Sequence, residues 1–183
     1  MVNMQPWKLL DASLVVSASP WLELYRETVV LPSGRIIEDF YRVVLPDFSV
    51  VVAVTEEKQL VMVRGYKHGL KRICLSAPAG LLEPSEAALA AAQRELLEET
   101  GYAATDWKSL GSFIVDGNRQ CGTMHLFLAR HARWVKPCRS DDAEELQVEL
   151  MSPRHLLQAI QEGEIAHLPT ASALALALVV GLE

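Results

Sequence analysis

The sequence predicts an α+β fold or a mixed α/β sandwich. Three observations carry this. Valine-rich and alternating apolar runs recur on both sides of one strongly helical stretch. That stretch, residues 84–100, is flanked by strand-like segments and not by a regular strand–helix series. The chain then closes on two segments with helical start and stop residues.

Taken in order, residues 1–20 carry little pattern, and Trp7 and Trp21 read as packing residues or as anchors on a partner surface. Trp21 to Val30 and Arg35 to Leu45 read as two strands joined at Pro32-Ser33-Gly34. Pro46-Asp47 breaks the pattern. Ser49 to Val54 reads as a buried strand, paired with Gln59 to Arg64 across Glu56-Glu57. A basic loop follows with Lys67, Lys71 and Arg72, then a short strand, Ile73 to Leu75. Ala77-Pro78-Ala79-Gly80 is a small-residue loop whose backbone a ligand can approach closely. Pro84 suits a first helical turn and Gly101 a left-handed cap, with Leu89, Ala92 and Leu96 as the apolar stripe between them. Ala88 and Ala91 share the stripe of the acids and leave room beside them for a ligand. Trp107 to Val115 and Thr123 to Arg130 read as strands around a polar loop at 116–122, and Arg133 to Lys136 as an extension of the sheet. An acidic run at 140–145 leads into the strand Leu146 to Met151. Ser152-Pro153 opens a helix over 154–162, and Pro169 to Leu182 forms the last.

Composition bounds the function. The chain has 183 residues, half of them apolar, enough for one domain with an appendage. A net charge of −6 argues against a nucleic-acid backbone as partner, though not against a nucleotide whose charge a metal offsets. Cys74, Cys121 and Cys138 form no CxxC pair and read as reduced thiols of a cytoplasmic protein. The N-terminus has no basic-then-apolar leader, and the apolar run at 171–182 is too short to span a bilayer, so no membrane partner is expected.

The chemistry lies in the predicted helix. At about 100° per residue, Glu95, Glu98 and Glu99 share roughly a third of its circumference. Like charges so placed repel, and a bound hard cation is the simplest offset. The alternative is a solvated acidic face, which requires no particular spacing.

The spacing is particular. Gly80, Glu86, Arg94-Glu95-Leu96, Glu98-Glu99 and Gly101-Tyr102 together match the Nudix box. The chain resembles the Nudix hydrolases, which cleave a nucleoside diphosphate linked to a group X. The stretch from Glu38 to Leu82, GNRQCGTMHLFLA and EGEIAHLPTASALALAL further resemble the ADP-ribose and nucleotide-sugar pyrophosphatase branch.

The resemblance implies an α/β/α sandwich at 46–183, preceded by a β-hairpin region at 1–45 that serves dimerisation in a homodimer. It implies Mg²⁺, with Mn²⁺ as the alternative, and a small nucleotide as substrate. Glu95, Glu98, Glu99, the Ala79 carbonyl and Glu144 would hold the metal. Glu98, Glu99, Asp142 and Arg94 would form the catalytic set, with Arg94 ion-paired inside the box. Arg64, Tyr66, Lys67 and Arg42 would bind substrate, with Arg64 and Lys67 at phosphate and Tyr66 on a base. Which carboxylate accepts the proton stays open.

So does X, because Ser76 stands where the branch often has glutamate and Gly117 where ADP-ribose enzymes often have proline. Gly65-Tyr66-Lys67 likewise replaces a usual Gln-Tyr-Arg. The alternatives are a GDP-sugar, a dinucleotide or a flavin nucleotide. From another class, the alternative is a silent nucleotide-binding regulator, which usually loses a box carboxylate. This chain keeps them all.

Overall fold

A computed structural model describes residues 4–138 and 145–182. The chain divides into two compact units, Met1–Asp47 with Ile114–Thr123, and Phe48–Phe113 with Met124–Glu183.

The first unit is an antiparallel meander of β1 (Lys8–Ala18), β2 (Leu22–Val30) and β3 (Ile36–Val44). The strand β1 is absent from the sequence expectation, and its register explains why. Irregularities between Leu9 and Asp11 and between Leu14 and Val16 break the two-residue period, leaving LL and LVV runs where alternation would have marked a strand. Its apolar side chains stay exposed, among them Leu9, Leu14 and Val16.

The second unit is built on β4 (Phe48–Thr55), which pairs antiparallel with β5 (Leu60–Lys67) and parallel with β10 (Gln120–Trp134). Next to β5 run β6 (Arg72–Ser76) and β11 (Leu146–Met151), both antiparallel to it. The short β7 (Ala79–Leu81) pairs with β4, and β8 (Tyr102–Ala103) and β9 (Asp106–Asp116) pair with β10. Helix α1 (Ala88–Thr100) covers one face, and α2 (Leu156–Gln161) and α3 (Leu168–Val180) cover the other.

The valine run of β4 follows from this sandwich. Val51 and Ala53 pack with Ala92 and Leu96 of α1, while Val50, Val52 and Val54 pack with Leu156, Ala173 and Leu174. A strand buried on both faces has no polar face to alternate with. Each such valine or leucine contributes about 1.5–3 kcal/mol on leaving water.

Several boundaries differ from expectation. Helix α1 begins at Ala88 and not at Pro84, because Ser85 sits at φ 66° and the preceding residues form a turn closed by Glu86 N–H to the Glu83 carbonyl. Ser49 Oγ anchors the new start by donating to the Ala88 carbonyl at 2.8 Å. Leu89 is 40% exposed and leaves the core stripe to Ala91, Ala92 and Leu96. Ala91, one turn before Glu95, is fully buried and leaves no open space beside the acids. Tyr66 and Lys67 belong to β5, not to a loop. β10 is 15 residues long, so the polar loop before it shrinks to a tight turn. Pro153–His155 is a 3₁₀ turn ahead of α2, and the Ser152 hydroxyl bonds the His155 ring, not a backbone amide.

Candidate functional site

The box folds around Arg94. Its guanidinium donates to both oxygens of Glu86, from Nε at 3.0 Å and Nη2 at 2.9 Å. Nη1 reaches Glu95 at 2.6 Å and Glu98 at 3.2 Å, and Nη2 also reaches the Leu81 carbonyl at 3.0 Å. One planar fork with several fixed donors suits this task, and a lysine could not perform it. The hydrogen bonds from Arg94 hold the Glu86 carboxyl below the usual range, helped by the Glu83 N–H. The same carboxylates push the Arg94 guanidinium up.

The loop Ala79-Gly80 meets the helix from the other side. Ala79 N–H donates to Glu99 Oε2 at 3.0 Å. A Cβ on Gly80 would overlap the Glu95 carboxylate, so glycine lets that carboxylate lie against the loop backbone. At Gly101 the reason is φ 74°, with the cap N–H bonded to the Leu97 carbonyl. The glutamates at 95 and 99 are thus presented to the backbone of a short strand, whose carbonyls are additional oxygen donors.

Whether these residues suit a divalent ion turns on their chemistry. Carboxylates and a carbonyl form an all-oxygen set, the type that Mg²⁺ and Mn²⁺ take. Yet among the described residues no group of three or more His, Cys, Asp or Glu is gathered as a metal cage. Glu95 and Glu98 are instead drawn to Arg94, whose single charge offsets part of theirs. The donor set fits; its gathering needs side-chain rotation. Asp142 and Glu144 lie outside the described residues.

The remaining candidates are dispersed. Arg64 on β5 is bound by Glu149 at 2.5 Å and 3.1 Å and by Glu164 at 2.5 Å, which raises its pKa and ties it into the sheet. Tyr66 is exposed beside His68, ring centroids 6.0 Å apart. With Arg64, Ile73 and Gln147 these two line an open hollow of about 740 Å³. Arg42 belongs to the first unit, where it pairs with Glu27 at 2.6 Å and lies over the Tyr25 ring. Lys67 lines a smaller cavity, about 220 Å³, with Ala79 and Glu99. That cavity also contains Ser76, noted above only as a departure from the branch, and His167, which the sequence reading did not single out.

Residues 45–171 match the NUDIX domain. Over 154 residues the chain is 31% identical to the ADP-ribose pyrophosphatase of Bacillus subtilis (strain 168), spanning 84% of this chain and 83% of that protein. The chain belongs to the Nudix family. Another relative within reach is the methanol dehydrogenase activator of Bacillus methanolicus, 33% identical over 111 residues, which are 60% of this chain and 58% of that one. A crystal structure of an ADP compounds hydrolase superposes with a TM-score of 0.83 over 99% of both chains at 20% identity, so the two share a fold. For this Nudix chain, the Arg94 cluster and the Ala79-Gly80 loop are therefore the box in its folded form.

Proposed function

We propose that this Nudix protein is a pyrophosphohydrolase that cleaves the diphosphate of ADP-ribose, giving AMP and ribose 5-phosphate, or that of a nucleotide sugar. The observation that carries this is the presentation of Glu95 and Glu99 to the Ala79-Gly80 loop, in a chain similar to an ADP-ribose pyrophosphatase over most of both lengths. Glu95, Glu98, Glu99 and the Ala79 carbonyl, joined by Glu144, would hold Mg²⁺ or Mn²⁺. Such an ion supplies neutralising charge at the diphosphate and acidifies water. The chain supplies the rest. Arg94 positions the box carboxylates in the absence of the ion. Glu98, Glu99 or Asp142 takes the proton of the attacking water. Lys67, Arg64 or Arg42, once released from its present partners, meets phosphate oxygens, and Tyr66 offers an exposed ring for a base.

The protein acts as a cytoplasmic homodimer on this reading. Three free thiols fit a reducing compartment, and the exposed apolar residues of β1 fit a dimerisation role for residues 1–45. Among the described residues no helix is long and apolar enough to cross a membrane. A regulatory reading is favoured by one observation, the similarity to an activator protein.

The experiment is a panel of ADP-ribose, nucleotide sugars, GDP-sugars, dinucleotides and flavin nucleotides with Mg²⁺. Release of a nucleoside monophosphate from ADP-ribose or a nucleotide sugar is expected. Binding without turnover across the panel would leave the regulator as the better account.

A further inference from the structure

The small cavity bounded by Lys67, Ala79 and Glu99 contains two polar atoms with nothing to bind. Ser76, the last residue of β6, is 2% exposed, and its hydroxyl has no hydrogen-bond partner. His167, the residue before α3, has a buried Nδ1 without a partner. Buried polar atoms are rarely left so, and two lining one cavity ask for a common acceptor.

The chemistry of that acceptor follows from the neighbours. Thr170 Oγ1 accepts from Ala77 N–H at 3.0 Å. The same oxygen lies 3.4 Å from His167 Nε2, so this contact engages Nε2 and leaves Nδ1 as the ring nitrogen that faces the cavity. Burial, and then the charge of Lys67, favours the neutral ring, which donates through Nδ1 when its proton sits there. Between apolar walls that include Phe48, Val63 and Pro169, the cavity thus brings together a hydroxyl, an imidazole nitrogen and the Lys67 side chain, beside the N-terminal end of the 13-residue helix α3. This is a donor set for an oxyanion. The opposing charge is Glu99, on the same wall as Ala79.

We propose that Ser76 and His167, with Lys67, form a subsite that positions one phosphate group of the substrate against the box helix. The inference rests on the hydrolase reading and specifies how that site grips its substrate. Because Glu99 repels an anion, occupancy depends on a divalent ion that offsets it.

The test uses the full chain and follows the His167 side chain by ¹⁵N NMR, assigned with His167→Gln, during titration with inorganic phosphate with and without Mg²⁺. The expected result is a shift of the His167 ring signal with phosphate when Mg²⁺ is present, and binding weakened roughly tenfold in Ser76→Ala. Ser76→Ala should fold as stably as the parent, since it deletes an unpaired hydroxyl. Titrations with AMP and with ribose 5-phosphate then tell which product's phosphate takes the site. A ring signal that none of the three moves overturns the subsite and leaves a cavity for water only. Equal phosphate affinity in Ser76→Ala overturns it too. If phosphate moves the signal but no substrate is hydrolysed, the subsite stands and the hydrolase reading falls. If ADP-ribose is cleaved with KM unchanged in Ser76→Ala and the signal stays still, the reverse holds.

Discussion

Two polar clusters flank the box helix, and they differ in how well their groups are satisfied. Around Arg94, three carboxylates share one guanidinium, and both Glu86 oxygens are bonded. In the cavity beside Glu99, the Ser76 hydroxyl and the His167 Nδ1 are buried with no partner. The first cluster holds part of its counter-charge in one guanidinium, and its hydrogen bonds are made without a ligand. The second is incomplete until something enters. Stability is therefore concentrated in the arginine cluster, and ligand response in the cavity.

The comparison is tested most severely at Glu99, which belongs to the box and also lines the cavity. In Glu99→Gln an amide oxygen can still accept from Ala79 N–H, so folding should change by less than about 1 kcal/mol. Turnover should fall on the order of 10³-fold, because the lost charge is what gathers the ion. Steady-state kinetics beside urea unfolding checks both halves. Near-parental turnover would remove Glu99 from the metal set. Arg94→Ala should show the opposite balance. Three carboxylates left without a counter-charge cost roughly 3 kcal/mol. Mg²⁺ should restore more stability to this variant than to the parent, since the released glutamates are free to bind it. Equal Mg²⁺ responses in the two proteins would separate the arginine cluster from the ion site.

Much of this arrangement was legible in the letters. The helix, its glycine cap and the twofold burial of β4 follow from local pattern, because each rests on residues close in sequence. The start of α1 did not follow, since Pro84 is a good first-turn residue and only the left-handed Ser85 shows that the chain turns first. β1 was hidden by its two irregularities. The pull of Glu95 and Glu98 toward Arg94 was half legible: the resemblance implied an ion pair, but not that it would hold two prospective metal ligands in the absence of the ion. Ser76 and His167 were illegible as a pair, because the cavity is formed where β5, β6, α1 and the start of α3 meet, and no short-range pattern encodes an absent hydrogen bond. Asp142 and Glu144 fall outside the described residues.

A smaller effect is expected at Gly80. Gly80→Ala places a methyl group against the Glu95 carboxylate, the far end of a flexible side chain. The chain should yield there at a cost of about 1 kcal/mol, while the displaced carboxylate weakens Mg²⁺ affinity roughly tenfold, within the range for perturbing a metal-site residue. Isothermal titration with Mg²⁺ measures it, and unchanged affinity would mean that Glu95 is not held by this loop for an ion.

The smallest effect divides the two clusters by pH. Glu86 is a carboxylate whose pKa is lowered in the fold, chiefly by Arg94. Its contribution is present above the ordinary value of 4.5 and is lost as pH falls below it. His167 is a base whose pKa is lowered, chiefly by burial and then by Lys67. The folded chain favours the neutral ring, so the unfolded chain binds more protons and stability again drops with acid, but the loss begins near 6.5. Thermal unfolding of the parent from pH 7.5 to 4 should therefore fall in two stages. His167→Gln should flatten the upper stage and Glu86→Gln the lower. If His167→Gln leaves the upper stage in place, the ring is not held neutral by its cavity, and the contrast between a satisfied and an unsatisfied cluster loses its thermodynamic basis.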